Sequence, residues 1–212
     1  MTSSYSSRRG LFVVLEGLDG SGKTTIALRL CKDLEGAGLC AVYTYEPYDT
    51  KLVHALRNEY AGLRDAYVDA LTYAADRLLH YKMAVKPYVE RGCFVVSDRY
   101  YMSSVAYQGA MGAPIEWLLE VNRYAPRPDI AIYLDVEPAR GLERKLALGS
   151  RFPEYERIDL LVRARAIYLE LVRRGYMILV DSNGPLEQAY MAVKKLVLEQ
   201  AFKGLEGRRP PL

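Results

Sequence analysis

The strongest chemical signal in this chain is a glycine-rich segment at residues 17–24, which reads GLDGSGKT. It satisfies the pattern G-x-x-x-x-G-K-[ST] and lies between a short apolar run, LFVVLE, and a segment with helical periodicity. Glycines allow backbone N–H groups to approach a phosphate, and the start of the following helix adds a favourable dipole. The segment therefore predicts a loop that binds a nucleoside triphosphate, with Lys23 at the β- and γ-phosphates and the Thr24 hydroxyl as a ligand of Mg²⁺.

A phosphate-binding loop does not by itself distinguish a kinase from a GTPase or an ATPase. The sequence has no N-K-x-D segment of the kind that binds guanine, and the apolar run FVVSD ends in Asp98, which is followed by Arg99. An aspartate at the end of such a strand can hold Mg²⁺ through water, and an arginine beside it suits an acceptor phosphate. The alternative is an arginine that pairs with a surface carboxylate. The first interpretation predicts that two phosphates meet at the carboxyl edge of a parallel sheet.

Two further segments have side chains suited to a nucleobase, LTYAADR at residues 71–77 and SSVAYQG at residues 103–109. Tyr73 and Arg77 are four residues apart and so share one face of a helix, which places an aromatic ring beside a donor group. Ordinary packing is the alternative for Tyr73, because the chain contains 18 tyrosines. These segments favour a kinase whose acceptor is a nucleotide.

These residues resemble those of the thymidylate kinase family, which transfers the γ-phosphoryl group of ATP to dTMP. The resemblance covers nearly the whole chain after residue 10. It rests on six segments: EGLDGSGKTT (16–25), EP (46–47), YAADR (73–77), DRYYMSSVAYQG (98–109), PDIAIYLD (128–135) and YLEL (168–171). The loop is shared by many nucleotide-binding proteins, whereas the segment that begins DRY is much more specific.

The resemblance implies a role for each matched position, with ATP as phosphoryl donor, Mg²⁺ as cofactor and a homodimer as the assembly. The residues implied for ATP are Gly17, Leu18, Asp19, Gly20, Ser21, Gly22, Lys23, Thr24 and Thr25. For the sugar and phosphate of dTMP, the implied residues are Asp19 at the 3′-hydroxyl, Arg99 at the phosphate and Tyr107 at the 2′ position. For thymine, they are Tyr73, stacked on the ring in place of a usual phenylalanine, Arg77 at a carbonyl and Ser104 at the ring edge. Gln108 is implied in the same pocket. The implied catalytic set is Lys23, Arg99, Asp19 and Arg151, and the implied metal ligands are Thr24 and Asp98.

Two positions depart from the family pattern. Similar sequences have an arginine where this chain has Tyr45, and Arg57, one helix later, is the candidate substitute. Gly20 occupies a loop position that is arginine in one branch of the family, so a mobile lid is expected to supply that cation. The basic segment at residues 140–157 is the expected lid, with Arg151 as the active residue. A kinase for another deoxynucleoside or nucleotide, and a nucleotide-binding protein without transfer activity, remain the alternatives.

Short apolar runs alternate with longer helical segments, which predicts a five-stranded parallel sheet with helices on both faces. The resemblance makes this the α/β fold of the P-loop nucleoside monophosphate kinases. One kinase domain is expected over residues 11–204, between a disordered arm at 1–10 and a flexible tail at 205–212. The predicted strands are 11–16, 41–45, 94–98, 130–136 and 177–181, and the predicted helices are 22–36, 50–60, 65–91, 114–124, 138–148, 154–174 and 185–202.

Composition argues against several other classes of protein. The formal charge of +3 is too small to require nucleic acid, and no apolar run is long enough for a membrane helix. Cys31, Cys40 and Cys93 are scattered, which argues against a disulfide framework or a zinc site and fits a reducing cytoplasm. His54 and His80 lie outside metal and hydrolase motifs, so both are interpreted as surface or filler residues.

Overall fold

The computed structural model describes residues 9–48, 50–146 and 157–206. The strands are β1 (Phe12–Gly17), β2 (Ala41–Tyr45), β3 (Phe94–Asp98), β4 (Ile130–Asp135) and β5 (Ile178–Asp181). The helices are α1 (Lys23–Gly36), α2 (Lys51–Asn58), α3 (Ala66–His80), α4 (Lys86–Glu90), α5 (Tyr101–Ala110), α6 (Ile115–Val121), α7 (Pro138–Leu146), α8 (Ile158–Arg173) and α9 (Leu186–Glu206). A π-helical turn (Tyr81–Val85) joins α3 to α4, and a 3₁₀ turn (Ala61–Leu63) precedes α3. Within the described residues, no helix is both long and apolar enough to cross a membrane.

The five strands form one parallel sheet in the order β2-β3-β1-β4-β5. The strand order reverses beside β1, so the carboxyl ends of β1 and β3 are adjacent at the position where open α/β sheets bind ligands. Leu15 of β1 is in register with Asp98 of β3. This topology confirms the predicted fold class and brings the phosphate loop next to Asp98 and Arg99.

The sheet separates two apolar cores, because alternate residues of a strand point to opposite faces. On β1, Phe12 and Val14 pack into the core formed with α3, α5 and α8. Val13 and Leu15 pack into the other core, with α1 and α9. All four side chains are almost completely buried, which explains why this strand is a continuous apolar run in the sequence.

The helix α5 was not predicted from the sequence. Every residue of it is buried except Ser103 and Gly109, which are partly buried. A helix that is covered on all sides lacks the polar face that gives a surface helix its 3.6-residue period. This helix carries Ser104, Tyr107 and Gln108, so sequence periodicity missed the element that positions much of the expected acceptor site.

The prediction that the cysteines form no disulfide was wrong. Cys40 and Cys93 form a disulfide, with their Cα atoms 4.6 Å apart. Each residue immediately precedes a strand, and Phe94 N–H donates to the Cys40 carbonyl at 2.8 Å as β3 pairs with β2. Their separation of 53 residues gave no local signal, because strand pairing brings them together. Cys31, on α1, is a buried free thiol.

Candidate active site

The phosphate loop connects β1 to α1, and its lysine is already directed into the loop. Gly22 caps the start of α1 with a φ of 91°, and Lys23 is the first helical residue. Its ammonium donates to the Leu18 carbonyl at 2.8 Å. Burial and the nearby charge of Arg99 lower the pKa of Lys23 to about 8, against the opposing effect of Asp98, Asp19 and Glu16. A bound polyphosphate would add negative charge beside the buried ammonium and so raise its pKa.

Gly20 is the point at which helix α7 contacts the loop. Its φ is +76°, and a Cβ built there would lie 2.0 Å from the Gly141 carbonyl oxygen. The backbone conformation and the contact both exclude a larger residue. Arg144 strengthens the junction by donating to the Gly20 carbonyl at 3.4 Å. This packing explains why residue 20 is glycine in this chain, whereas one branch of the family that the sequence resembles has arginine there.

Asp98 and Thr24 form the candidate metal position. The Thr24 hydroxyl donates to Asp98 Oδ2, and Asp98 Oδ1 is buried without a hydrogen-bond partner. A buried carboxylate oxygen with no donor is costly, and a divalent cation is a natural partner for it. No cluster of three or more His, Cys, Asp or Glu residues able to hold a metal was found within the described residues. The pair therefore fits Mg²⁺ only if phosphates and water complete its coordination.

Arg99 faces the phosphate loop across the cleft. One terminal nitrogen donates to the Gly17 carbonyl at 3.3 Å and to the Ser103 hydroxyl at 3.0 Å. Its backbone has a φ of +76°, a conformation that is unfavourable for a side chain of this size. Such strain persists where the surrounding structure imposes it, and it is frequent at functional sites. The fold therefore directs this guanidinium toward the loop.

Asp19 lies between two cations at the centre of the cleft. Its carboxylate accepts from the other terminal nitrogen of Arg99 and from Lys145 on α7. Burial alone would raise the pKa of Asp19, but the charges of Arg99, Lys23 and Lys145 outweigh it and hold the pKa well below the usual range. Asp19 is therefore ionised at neutral pH, and it connects α7 to the residue that follows β3.

Glu16, at the end of β1, fixes the start of α5. Its carboxylate accepts from the backbone N–H groups of Tyr100 and Ser103, at 2.8 and 3.1 Å. The hydroxyls of Ser103 and Tyr168 also donate to it, at 2.5 and 3.0 Å. Burial raises the pKa of Glu16 in spite of these donors and the charge of Arg99. Through these bonds, Glu16 positions α5, the helix that was not predicted from the sequence.

Arg77 is buried at the opposite end of the cleft and is held by three acceptors. Its Nε donates to Glu46 Oε2 at 2.7 Å, and Nη2 donates to the Ser104 hydroxyl at 3.1 Å. Nη1 donates to the side-chain carbonyl of Asn122. The guanidinium position is therefore fixed by groups from three separate parts of the chain.

Asp19, Arg99 and Arg77 line one cleft. We call the part next to Asp19 and Arg99 the phosphate end, and the part next to Glu46 and Arg77 the base end. The cleft is lined by Asp19, Glu46, Pro47, Tyr73, Asp76, Arg77, Arg99, Tyr100, Ser103, Ser104, Tyr107 and Gln108. These include all seven residues expected to contact the acceptor: Asp19, Tyr73, Arg77, Arg99, Ser104, Tyr107 and Gln108.

Arg57 and Tyr45 do not line this cleft within the described residues, and the role of Arg151 stays a prediction. Arg57 lies on α2 and is not among the lining side chains of the described residues, so the structure gives no support to it as a substitute for the missing arginine. Tyr45 is 40% exposed and stacks on Tyr43, with ring centroids 6.2 Å apart. Arg151 lies outside the described residues.

Sequence reasoning also missed or misjudged several residues. Lys145 lies within the basic segment expected to form the lid, but only the packing of α7 on the loop brings it to Asp19. Asn122 gave no signal at all. His80 was interpreted as a surface or filler residue, but it is fully buried and lies 3.0 Å from Glu46. His54 is exposed, as expected.

Comparison with known proteins agrees with this geometry. The thymidylate kinase family model matches residues 15–193. A probable thymidylate kinase from Staphylothermus marinus is 56% identical over 194 residues, which cover 92% of this chain and 98% of that protein. A probable thymidylate kinase from Pyrobaculum calidifontis is 39% identical over 200 residues, covering 92% and 99%. A thymidylate kinase from Xylella fastidiosa is 40% identical over 193 residues, covering 90% and 88%. With this identity over most of its length, the chain belongs to the thymidylate kinase family of nucleoside monophosphate kinases.

Proposed function

We propose that this enzyme transfers the γ-phosphoryl group of ATP to dTMP, producing ADP and dTDP for dTTP synthesis. In the transfer, an oxygen of the acceptor phosphate forms a bond to the γ-phosphorus, and the bond from that phosphorus to the bridging oxygen of ADP breaks. The observation that carries this proposal is the position of Arg99 against the phosphate loop, with Gly17 O 3.3 Å from its guanidinium. Phosphoryl transfer requires mainly alignment and charge neutralisation, and this arrangement can supply both.

For the acceptor, we propose that Arg99 binds the phosphate of dTMP and that Asp19 faces the 3′-hydroxyl. Arg77 and Ser104 would then recognise the edge of thymine, with Tyr73 stacked on the ring and Tyr107 and Gln108 beside the sugar. Support comes from the location of all these side chains around one cleft. Burial raises the pKa of Tyr107 to about 12, so its hydroxyl is protonated and can donate at neutral pH.

For the donor, we propose that residues 17–25 bind the phosphates of ATP and that Lys23 contacts the β- and γ-phosphates. Thr24 and Asp98 would hold Mg²⁺, which neutralises charge on those phosphates when bound. The buried, unpartnered Oδ1 of Asp98 supports this choice of metal position.

For the lid, we retain Arg151 as the proposed cation for the transferred group and assign Lys145 to holding Asp19. A pair of variants can separate the two roles. Arg151→Ala should lower kcat with little change in the KM for dTMP, because it acts on the transferred group. Lys145→Ala should raise the KM for dTMP as well, because Asp19 loses one of its two partners. Identical effects of the two variants would contradict this division.

We propose that the enzyme is a homodimer formed through α3. Val68, Leu71, Leu79 and Met83 are exposed and follow one face of α3 and the π-helical turn. An apolar stripe of this kind on an exposed helix marks an interaction surface. Leu71→Lys should convert the dimer to a monomer in light scattering. Leu28→Lys, at an exposed leucine of α1, should leave the dimer intact, and a monomeric wild type would refute the proposal.

We further propose that residues 11–204 act as a single kinase domain in the cytoplasm, where nucleotides are available, without a nucleic-acid partner. The Cys40–Cys93 disulfide does not support this assignment, because most cytoplasmic proteins keep their cysteines reduced.

The decisive experiment is a coupled assay of ADP formation with dTMP, dUMP, dCMP, dGMP and thymidine as acceptors. We expect the highest kcat/KM with dTMP and a lower but measurable value with dUMP, because one methyl group is worth only about 1 to 3 kcal/mol. Strongest turnover with thymidine, or transfer to none of these acceptors, would overturn the proposal.

A further inference from the structure

Behind the base end of the cleft, a buried chain of polar side chains runs from β2 to Arg77. His80, the last residue of α3, is fully buried and stacks on Tyr48 with ring centroids 4.6 Å apart. Its Nδ1 lies 3.0 Å from Glu46 Oε1, and its Nε2 lies 2.6 Å from the hydroxyl oxygen of Thr44. His80 does not line the cleft, so any effect on the acceptor must pass through a neighbour.

That neighbour is Glu46, whose two carboxylate oxygens have different partners. Oε2 accepts from Arg77 Nε at 2.7 Å, while Oε1 faces His80 Nδ1. An ionised carboxylate can only accept, so Nδ1 carries a hydrogen and donates it. Rotation of the Glu46 carboxylate would break this bond. His80 therefore fixes the plane in which Glu46 holds Arg77.

We propose that His80 is a positioning residue for nucleobase recognition, acting through Glu46 to hold the Arg77 guanidinium in the orientation that receives the base. This inference rests on the proposed function, in which Arg77 donates to a thymine carbonyl. Arg77 and Glu46 are both almost fully buried, so little water is available to replace a lost partner. Loss of His80 therefore leaves the Glu46 carboxylate free to rotate, which weakens one of the three contacts that orient the guanidinium without changing its charge.

The test uses two substitutions at His80 and one control. His80→Asn keeps a donor near the position of Nδ1, whereas His80→Leu removes both ring nitrogens. We expect His80→Leu to raise the KM for dTMP about tenfold, the effect of leaving a buried carboxylate oxygen unpaired, with the KM for ATP unchanged. His80→Asn should restore the KM for dTMP to within about threefold of wild type. The control is His54→Leu on the exposed face of α2, which should resemble wild type.

Thermal unfolding and calorimetric binding of dTMP accompany the kinetics. If His80→Leu does not fold, Thr44→Val provides the second test, because it removes the partner of Nε2 and should raise the KM for dTMP about threefold. An unchanged KM for dTMP in the folded variant, a parallel rise in the KM for ATP, or failure of His80→Asn to rescue would overturn the positioning role. A wild-type enzyme that neither binds nor phosphorylates dTMP would instead refute the proposed function.

Discussion

The phosphate end of the cleft takes its binding loop from consecutive residues, 17–24, whereas the base end collects Glu46, Arg77, Ser104 and Asn122 from four separate segments. At the phosphate end, a few strong charges converge on the place where a polyphosphate would bind. At the base end, the buried guanidinium of Arg77 is held in place by two neutral side chains and by one carboxylate that has a second partner. Single substitutions should therefore have large effects at the first end and smaller, distributed effects at the second.

The largest effect is expected for Lys23→Met, which keeps the length of the side chain and removes its charge. Loss of the only loop cation should reduce kcat/KM at least about 1,000-fold, because it removes charge stabilisation at the transferring phosphate. The measurement is initial-rate kinetics with dTMP, and Lys86→Met, at an exposed position on α4, is the matched control. Retention of a tenth of the activity would refute a dominant role for the loop lysine.

Arg99→Lys should reduce kcat/KM about 100-fold, since an ammonium keeps the charge but loses the planar fork. In the structure the two terminal nitrogens of Arg99 bind different groups, Gly17 and Ser103 on one side and Asp19 on the other. A lysine can satisfy only part of this set. Steady-state kinetics check the prediction, with Arg91→Lys at an exposed site as control, and equal activity would show that only the charge at this position matters.

ATP affinity should depend on pH at the phosphate end. The pKa of Lys23 in the empty site is about 8, and bound phosphates favour the charged ammonium. Binding therefore requires uptake of a proton above that pH, and the association constant should fall about tenfold between pH 7 and pH 9. Calorimetry with a non-hydrolysable ATP analogue measures this change. Lys23→Met should abolish the pH dependence, and the same slope in that variant would assign it to another group.

At the base end, Ser104→Ala should raise the KM for dTMP only about fivefold, the typical value of one hydrogen bond. The variant removes one of the three acceptors of Arg77, and Glu46 and Asn122 remain. The KM for ATP serves as the internal control in the same assay. A 100-fold loss would show that the base end depends on single contacts as strongly as the phosphate end does.

The smallest effect on activity is expected for Cys93→Ala, because the disulfide lies at the edge of the sheet opposite the cleft. We expect kcat/KM within about twofold of wild type, but a free energy of unfolding lower by about 4 kcal/mol, since the bond closes a loop of more than 50 residues. Denaturant unfolding under oxidising conditions measures this difference. Cys31→Ala keeps the disulfide and is the control, and reduced wild type should match Cys93→Ala.

The accuracy of sequence interpretation differed between elements for physical reasons. The strands β1, β3 and β4 are buried on both faces, so their apolar runs were legible within a residue or two. The helix α5 was missed because burial on nearly all sides removed its amphipathic pattern. His80 was misjudged because its role depends on contacts with Glu46 and Thr44, which are distant along the chain.

The sequence by itself determined the phosphate loop, the alternation of strands and helices and the family, because each depends on residues that are neighbours along the chain. Only the tertiary structure decided that Cys40 pairs with Cys93, that Lys145 reaches Asp19 and that His80 supports Arg77 through Glu46. These contacts arise from strand order and helix packing, which join residues far apart in the sequence. A local pattern can specify a loop that binds phosphate, but the partners of a buried charge are set by the whole fold.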